Sequence, residues 1–338
     1  MRILNIGGHL LVPALQRLGE DVFSVGIDRN IELTINHPFY ATRLLAQVSD
    51  MGFQPDILFY CDQGNFPLLL DPENLPFPSI WYSIDTYCNP WHIAYAHGFD
   101  ATLVAQKDFV EFFTREGLSA FWFPPFFLSS LLVTRTDTQR DVPVAFVGNI
   151  GHKNNPDRGP FLQAFRRLAP LVIHRGEFVP LFSRAQIVLN QTAFSEVNFR
   201  CFEAMACGAA LLMENCANGL EELFGEDLIL PRYPRNDAQA AAHIALEALA
   251  HPKALASLAR KGQEAVLTHH TDVQRAQRLV AIMTSLLQSP KIPQAHAEHR
   301  GSFVRAAFGM IASELGPDME NYRQFFAKIA LGQKPKKE

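Results

Sequence analysis

The sequence predicts an α/β protein made of two domains, each with a parallel β-sheet. In the first half of the chain, short apolar runs alternate with amphipathic helical stretches, and the same alternation begins again near Val142 after a polar segment. Such alternation is typical of parallel sheets whose strands are joined by crossover helices. The chain has 338 residues, and chains of this length usually form two domains of roughly 150 residues each.

The strand signals of the first half are bounded by turn residues that fit them. Gly19 follows the first helical stretch where a C-terminal cap belongs, and Pro55 and Pro78 precede strands rather than interrupt them. The predicted strands are RILNIGG, DVFSVGI, PDILFYCD, SIWYSID and ATLVAQ, and the stretch KDFVEFFTREG is predicted to be helical.

The second half repeats this pattern and then becomes helical. The α/β signals continue through PVAFVGN, LVIHRG, AQIVLNQ, FEAMACG, AALLM and DLILP. Thr271 and Asp272 suit the capping position of a later helix. Apolar residues at helical spacing predict helices over residues 237–249, 251–267, 271–288, 299–314 and 317–331.

Composition argues against several classes of function. The formal net charge is -4 and the one basic run is the terminal KPKKE, so we expect no nucleic-acid partner. The five cysteines contain no Cys-x-x-Cys pair, which argues against a disulfide framework or a zinc knuckle. No histidine pair has metal-ligand spacing beside a carboxylate, so no metal site is predicted. The N-terminal stretch differs from a signal peptide, and we expect a cytoplasmic protein.

One uncharged aromatic segment, GLSAFWFPPFFLSSLLV at residues 117–133, bears on membrane association. Pro124 and Pro125 would break a spanning helix, and the segment is shorter than the ~20 residues that a bilayer requires. The segment therefore favours a buried strand followed by an interdomain linker. Peripheral contact with a membrane surface is the alternative.

The segment NFRCFEAMACGAALL contains two charged residues in a stretch whose other residues are mostly apolar and typical of a protein core. We predict a helix from about Asn198, its N-cap, to Cys207, with Arg200 and Glu203 one turn apart on one face. A guanidinium near a helix N-terminus suits an anion, and a carboxylate one turn on can accept both hydroxyls of a ribose. The alternative is an intrahelical ion pair worth about 0.2–0.5 kcal/mol.

Glycines follow the first strand. Gly7 and Gly8 could let backbone amides approach a phosphate or an acceptor. The third glycine of the dinucleotide fingerprint is missing, and Asp28 is only a loose candidate for the acid that should end the second strand. A dehydrogenase is therefore the poorer interpretation.

An aspartate follows another predicted strand of the first domain. Asp85 ends SIWYSID, where a parallel strand would deliver a carboxylate to a ligand at the sheet edge. Asp62 ends ILFYCD in the same way. His92 and His97, in NPWHIAYAHG, are alternative groups for proton transfer, although each could equally be a packed or surface histidine.

The order of these motifs resembles a known family. The second half contains VAFVGN, LVIHRG, IVLNQ, RCFEAMACGAALL, GLEELFG and THHTDVQRAQRLV, and the first half contains PDILFYCDQG, PFPSIWYSIDTY and FDATLVAQKDFVEFFTREGL. Over residues 1–290 this is similar to GT-B glycosyltransferases, in particular the CgeB-like group related to glycosyltransferase family 4. The resemblance implies two Rossmann-like domains facing a cleft, with C-terminal helices returning to the N-terminal domain. It places an acceptor-side domain at 1–135, a nucleotide-sugar-binding domain at 142–290 and the returning helices at 291–338.

The resemblance also implies a donor site, with Glu203 on the ribose and Arg200 near the diphosphate. Family 4 enzymes usually have another glutamate eight residues before the ribose glutamate, where this chain has Ser195, with Glu196 one residue out of register. The remaining residues expected around the donor are Gly148, Asn149, Lys153, Arg158, Arg175 and Asn198, together with Gly7 and Gly8.

The implied function is transfer of a sugar from a nucleoside diphosphate sugar to a hydroxyl-bearing acceptor, which could be a glycan, lipid or protein. Asp85, His92 and Arg200 are the expected catalytic residues. The resemblance implies retention of the anomeric configuration and no cofactor or metal. Two alternatives are a nucleotide-sugar-binding protein without turnover, serving in surface-layer assembly, and a nucleotide-sugar epimerase of the same shape.

Overall fold

The computed structural model of the chain divides into two compact units. One unit contains Met1–Phe123 and Ala276–Glu338, and the other contains Pro124–Arg275. The chain therefore passes from the first unit to the second once, and returns once. The structure describes residues 1–35, 37–131, 139–151, 154–225, 227–288 and 297–333.

The first unit contains a sheet of seven parallel strands. The five strands predicted for this half of the chain are confirmed, whereas the short strand Leu33–Thr34 was not predicted because two residues carry no periodic signal. The strands are β1 (Arg2–Gly7), β2 (Asp21–Gly26), β3 (Leu33–Thr34), β4 (Ile57–Cys61), β5 (Ser79–Ser83), β6 (Ala101–Val104) and β7 (Ala120–Trp122).

The order β3-β2-β1-β4-β5-β6-β7 reverses direction between β1 and β4. Loops that follow neighbouring strands at such a point leave in opposite directions, which opens space for a ligand. The turn after β1 is tight. Gly7 has φ +82°, and a Cβ atom there would lie 2.4 Å from the carbonyl oxygen of Cys61, so the position requires glycine.

The two last helices of the chain belong to the first unit, which confirms their predicted return to the N-terminal sheet. The Arg300 guanidinium donates to the carbonyl of His97 and lies 3.3 Å from the Asp100 carboxylate. The helices are α1 (Val12–Arg17), α2 (Ala41–Asp50), α3 (Trp91–Ala96), α4 (Val110–Arg115), α12 (Ala297–Glu314) and α13 (Glu320–Ala330). Their buried contributions to the core of this unit include Val304, Ala307, Phe308, Ile311, Phe326 and Ile329.

The second unit contains a sheet of four parallel strands in the order β11-β10-β8-β9. These strands match the predicted PVAFVGN, LVIHRG, AQIVLNQ and AALLM. The stretch DLILP forms no strand, although Leu230 donates a backbone hydrogen bond to Leu211. The strands are β8 (Val142–Val147), β9 (Val172–His174), β10 (Ala185–Asn190) and β11 (Ala210–Met213).

Helices cover both faces of this second sheet, and a separate hydrophobic core lies on each face. The helix predicted to begin at Thr271 and Asp272 begins there. Thr271 accepts from the Val273 amide, and the Gln274 side chain accepts from the Thr271 amide, which is a capping box. The helices are α5 (Arg158–Leu168), α6 (Val179–Phe182), α7 (Phe199–Ala206), α8 (Leu220–Phe224), α9 (Ala238–Ala250), α10 (Pro252–His269) and α11 (Asp272–Gln288), and α11 begins in this unit and belongs to the first unit from Ala276 onward.

The aromatic segment at residues 117–133 contributes to the core in its described part. It contains β7, and Phe123, Phe126 and Phe127 are each at most 1% exposed. Phe127 exchanges backbone hydrogen bonds with His270 and Asp272. Within the described ranges, no helix is both long enough and apolar enough to span a bilayer.

We predict that Phe308→Ala destabilises the first unit by about 3–5 kcal/mol, because it empties space among buried rings. Phe308 is fully buried and stacks on Phe326 with ring centroids 5.6 Å apart. Urea denaturation followed by circular dichroism measures the loss. Tyr322→Ala on α13 is the matched control, since Tyr322 is 44% exposed. Equal losses in the two variants would contradict the packing of α12 described above.

Candidate functional site

The strongest candidate site lies where the second sheet reverses direction, at the ends of β8 and β10. Arg200, in the first turn of α7, joins these two strand ends. Its Nε donates to the carbonyl of Val147, the last residue of β8, at 3.0 Å. Its Nη1 donates to the Asn190 side chain, at the end of β10, at 2.7 Å. The guanidinium is thereby fixed at the point where open α/β sheets bind ligands.

The Arg200 charge is held by neutral groups. The guanidinium lies over the Phe146 ring, 4.6 Å from its centroid, and no carboxylate among the described residues comes within 4.0 Å of it. Its Nη2 lies against Gly148, where a Cβ atom would come within 2.6 Å. Burial, and then the neighbouring Arg158, lower the pKa of Arg200 to about 10, so the group remains charged at neutral pH. A half-buried cation with no carboxylate within 4.0 Å among the described residues is suited to binding an anion.

A pair of side-chain amides orients this arginine. The Asn190 amide donates to Asn198, and the Asn198 amide donates back to Asn190, at 3.1 and 3.3 Å. Asn198 is the N-cap residue of α7, as predicted, but its side chain makes no capping hydrogen bond because it is engaged with Asn190. Sequence analysis missed Asn190, although its position at the end of the strand signal AQIVLNQ was a visible sign.

A second guanidinium lies at the start of α5. Arg158 donates to both the side chain and the carbonyl of Gln191, and to the carbonyl of Asn149, at 3.0–3.1 Å. The Gln191 and Asn155 amides bond to each other, and both residues are buried. Gln191 directly follows β10. The loop after β10 therefore holds Arg158, and Asn190, the last residue of β10, holds Arg200.

Glu203 lies one turn after Arg200 and is half-buried. The two side chains form no ion pair within 4.0 Å, so the alternative of an intrahelical ion pair is not what the structure shows. Burial raises the pKa of Glu203 to about 7, and Arg200 lowers it by less. The Glu203 carboxylate accepts no hydrogen bond from the described residues. It is therefore a poorly solvated acceptor beside a cation.

The structure places the other residues predicted for the donor site in different surroundings. Asn149 and Arg175 are exposed, after β8 and β9 respectively. Lys153 lies outside the described residues. The carboxylate of Glu196 accepts from the amides of Ala193 and Phe194, so it is committed to its own loop and not to the site.

In the first unit, acidic groups lie at the carboxyl edge of the sheet. Gly8 donates to the carbonyl of Cys61, which holds the Gly7–Gly8 turn beside the end of β4. Asp85 follows β5, is half-buried and accepts from the Tyr87 hydroxyl at 2.9 Å. Asp62 follows β4 and is buried, which raises its pKa. It accepts backbone hydrogen bonds from Gly64, Ile84 and Asp85.

The histidines of this unit are placed differently from the expectation. His92 is 0% exposed, its Nδ1 bonds to Ser83 at 2.8 Å, and its Nε2 lies 3.9 Å from Asp62. Burial lowers the pKa of His92 to about 3. A ring enclosed in this way does not reach a substrate, so the structure corrects its predicted catalytic role to a packing role. His97 stacks on Phe303 with ring centroids 3.8 Å apart.

Comparisons with known proteins bear on the fold of the chain. Residues 129–281 match a family model described as glycosyl transferase-like. HepE from Anabaena, in complex with UDP and glucose, is similar at TM-score 0.64 and 13% identity, covering 85% of this chain and 100% of that chain. Sucrose-phosphate synthase from Thermosynechococcus elongatus is similar at TM-score 0.61 and 12% identity, covering 85% and 99%.

A glycosyltransferase from Rickettsia africae is similar at TM-score 0.59 and 8% identity, covering 86% of this chain and 99% of that chain. No curated protein sequence matches the chain. These likenesses establish the fold, which is that of the GT-B glycosyltransferases, as the sequence predicted. Among the described residues, no three His, Cys, Asp or Glu side chains are grouped to hold a metal ion.

The raised pKa of Glu203 predicts that this group lowers the free energy of unfolding to an extent that depends on pH. Because the native carboxyl has a pKa of about 7 instead of 4.5, the native state binds more protons than the unfolded state between these values. Stability therefore falls as the pH rises from 4.5 to 7, and the penalty is complete above pH 7. Glu203→Gln should raise the free energy of unfolding by about 1–3 kcal/mol at pH 8 and change it little at pH 4.

Urea denaturation at the two pH values measures this difference. Glu221→Gln is the matched control, because Glu221 is exposed on α8 and should change stability at neither pH. A Glu203→Gln variant that is less stable than the wild type at pH 8 would show that the carboxylate has a stabilising partner.

Proposed function

We propose that the chain is a glycosyltransferase that transfers a sugar from a nucleoside diphosphate sugar to a hydroxyl-bearing acceptor. One observation carries the proposal: Arg200 is fixed by neutral oxygens at the reversal of the second sheet, with the Glu203 carboxylate one turn away. A cation and an acceptor group at this spacing suit the diphosphate and the ribose of one nucleotide. The complex of HepE with UDP supports uracil as the first base to test.

The step that needs most help is departure of the diphosphate, because negative charge grows on the leaving oxygen. Arg200 and Arg158 are the groups proposed to stabilise it, and both are held in place by the loop and strand end at β10. Prearranged charge of this kind supplies much of the rate enhancement in many enzymes. Gly148 allows the phosphates to approach the guanidinium, with Asn149, Arg175 and Lys153 as further contacts. No cofactor is part of this proposal.

The acceptor is assigned to the carboxyl edge of the first sheet, with Asp85 as the residue that binds it and Gly7 and Gly8 giving it room. This assignment follows the proposed division into an acceptor domain at 1–135, a donor domain at 142–290 and the returning helices at 291–338. Kinship with the CgeB-like group and with family 4, and a cytoplasmic location, belong to the same proposal. That kinship alone implies retention, although Ser195 replaces one glutamate and Glu196 is bonded within its own loop.

The two alternative functions, a nucleotide-sugar epimerase and a nucleotide-sugar-binding protein without turnover, predict different products from the same reaction mixture. With UDP-glucose and an alcohol acceptor, a transferase forms a glycoside and UDP. An epimerase forms an isomeric nucleotide sugar even without the acceptor, and a binding protein leaves the donor unchanged. Parallel mixtures with the GDP and ADP sugars identify the base.

We predict that Gly148→Ala weakens UDP binding at least tenfold, or about 1.4 kcal/mol. The added methyl group would lie 2.6 Å from Arg200 Nη2 and so displace the guanidinium. Titration calorimetry with UDP measures the change. Gly159→Ala, in the first turn of α5, is the control, because its methyl group meets only Ile150 at 3.5 Å. Unchanged affinity in Gly148→Ala, with a normal melting temperature, would remove Arg200 from the donor site.

The ribose assignment has a separate test. Glu203→Ala should weaken binding of UDP by a factor of 10 or more, since the carboxylate loses two hydroxyl donors. The same variant should bind 2′,3′-dideoxy-UDP as the wild type does, because that ligand has no hydroxyl to lose. An equal loss for both ligands would show that Glu203 acts through the fold and not on the ribose.

A further inference from the structure

A glutamate outside the predicted site is buried where β11 ends. Glu214 directly follows β11 and is 0% exposed. One oxygen of its carboxylate accepts from the Thr192 amide at 3.0 Å and from the Thr192 hydroxyl, and the other accepts from the Asn236 amide at 3.4 Å. Glu214 therefore joins the loop after β10 to the segment that precedes α9.

Gln191, which directly precedes Thr192, uses every hydrogen-bonding position of its side chain. Its Oε1 accepts from Asn155 at 2.9 Å and from Arg158 at 3.0 Å. Its Nε2 donates to Asn155 at 3.2 Å and to Asn236 at 2.9 Å. A side-chain amide has two donor and two acceptor positions, so none remains for another group. The amide oxygen must face Arg158, because the reverse orientation would place two donors against each other.

The Asn236 side chain sets the direction of this amide. Its Nδ2 donates to the Asp157 carboxylate at 3.1 Å, so its Oδ1 faces Gln191. An ionised carboxylate only accepts and a guanidinium only donates. With Asp157 at one end and Arg158 at the other, the amides between them have a single favourable orientation. Asn236 has φ +57°, a left-handed conformation that asparagine adopts more readily than most residues.

The backbone that leads to Asn236 is anchored to the second sheet. The Tyr233 amide donates to the carbonyl of Met213 at 3.2 Å, and the Tyr233 carbonyl accepts from Asn215 at 2.7 Å. The Tyr233 hydroxyl donates to the carbonyl of Asn190 at 2.7 Å. The segment before α9 is thus bonded to the ends of β10 and β11.

Arg158 needs this support because it lies near a second cation. The guanidiniums of Arg158 and Arg200 lie over the same ring, at 5.6 and 4.6 Å from the centroid of Phe146. Like charges repel, and Arg158 is half-buried, so an unrestrained side chain would turn toward solvent. The side chain and the carbonyl of Gln191 both accept from Arg158 and oppose that movement.

We infer that Glu214 and Asn236 are positioning residues, which fix Gln191 and through it the Arg158 guanidinium in the orientation that binds the diphosphate. The inference rests on the proposed function. Glu214 acts on the backbone next to Gln191, and Asn236 acts on its side chain. Neither is a catalytic residue, since both act through another residue.

Asn236→Gly is the main test, because glycine adopts φ +57° readily and the change removes only the side chain. UDP, ADP and GDP are titrated by calorimetry, and the probes are the diphosphate that the wild type binds most tightly and its nucleoside. Asn236→Gly should weaken binding of the diphosphate by about 5-fold or more and change binding of the nucleoside by less than about twofold. Equal losses for the two probes would show a merely structural role and overturn the inference.

Asn218→Gly is the matched control. Asn218 is also left-handed, at φ +42°, but its side chain donates to the carbonyl of Ser195. This variant should bind both probes as the wild type does. A loss of diphosphate binding equal to that of Asn236→Gly would show that any such replacement disturbs the site, which would contradict the specific role of Asn236.

A double variant tests whether the effect passes through Arg158. Arg158→Ala removes the group that is oriented, so adding Asn236→Gly should weaken diphosphate binding by no more than about twofold further. Losses that multiply fully would show that Asn236 acts independently of Arg158, and would overturn the inference.

The role of Glu214 is tested through its hydroxyl donor, which leaves the buried carboxylate in place. Thr192→Val removes the hydroxyl and should weaken diphosphate binding by about 3-fold or more, whereas Thr192→Ser retains it and should bind as the wild type does. Wild-type affinity in Thr192→Val, or an equal loss in the two variants, would remove Glu214 from the inference.

The outcomes separate this inference from the proposed function. If the wild type binds a nucleoside diphosphate and Asn236→Gly binds it equally well, the positioning role is overturned and the proposed function stands. If the wild type binds none of the three nucleoside diphosphates, the proposed function fails, and the positioning role fails with it.

Discussion

The reversal of strand order in a parallel sheet is the constraint on which the candidate site depends. In the second unit, the loops after β8 and β10 leave in opposite directions, and a side chain from α7 spans the gap between the two strand ends. The Arg200 guanidinium bonds to the last residue of each strand. The fold therefore places a cation at the reversal and also fixes its orientation, because two of its nitrogens are already in use.

The partners of that cation decide what it can do. A carboxylate in contact would neutralise the charge, whereas carbonyl and amide oxygens orient it and leave it available to an anion. The nearby Glu203 is held without an ion pair, and its pKa is raised because the carboxylate is poorly solvated. Both groups are thus kept in states that cost stability and that a ligand can relieve, which is common at functional sites.

Periodicity and turn residues were enough to predict the main strands, the late helices and the position of α7 within one or two residues. Arg200 and Glu203 were visible because charges are rare in an apolar stretch. The polar network around them was not, since the pairing of Asn190 with Asn198, and of Gln191 with Asn155, joins loop and strand-end side chains that no periodic pattern relates. Burial of His92 was likewise hidden, because a histidine on a short helix looks the same whether it packs inward or outward.

Because of the C-terminal helices, the two units complete their cores at different stages of synthesis. The second unit is continuous from Pro124 to Arg275, whereas the core of the first unit also requires side chains from α12 and α13. On a ribosome, where domains generally fold as units during synthesis, the later segment can complete its core while the earlier one still waits for its last helices. The core of the first unit therefore depends on side chains that follow the whole second unit in the sequence.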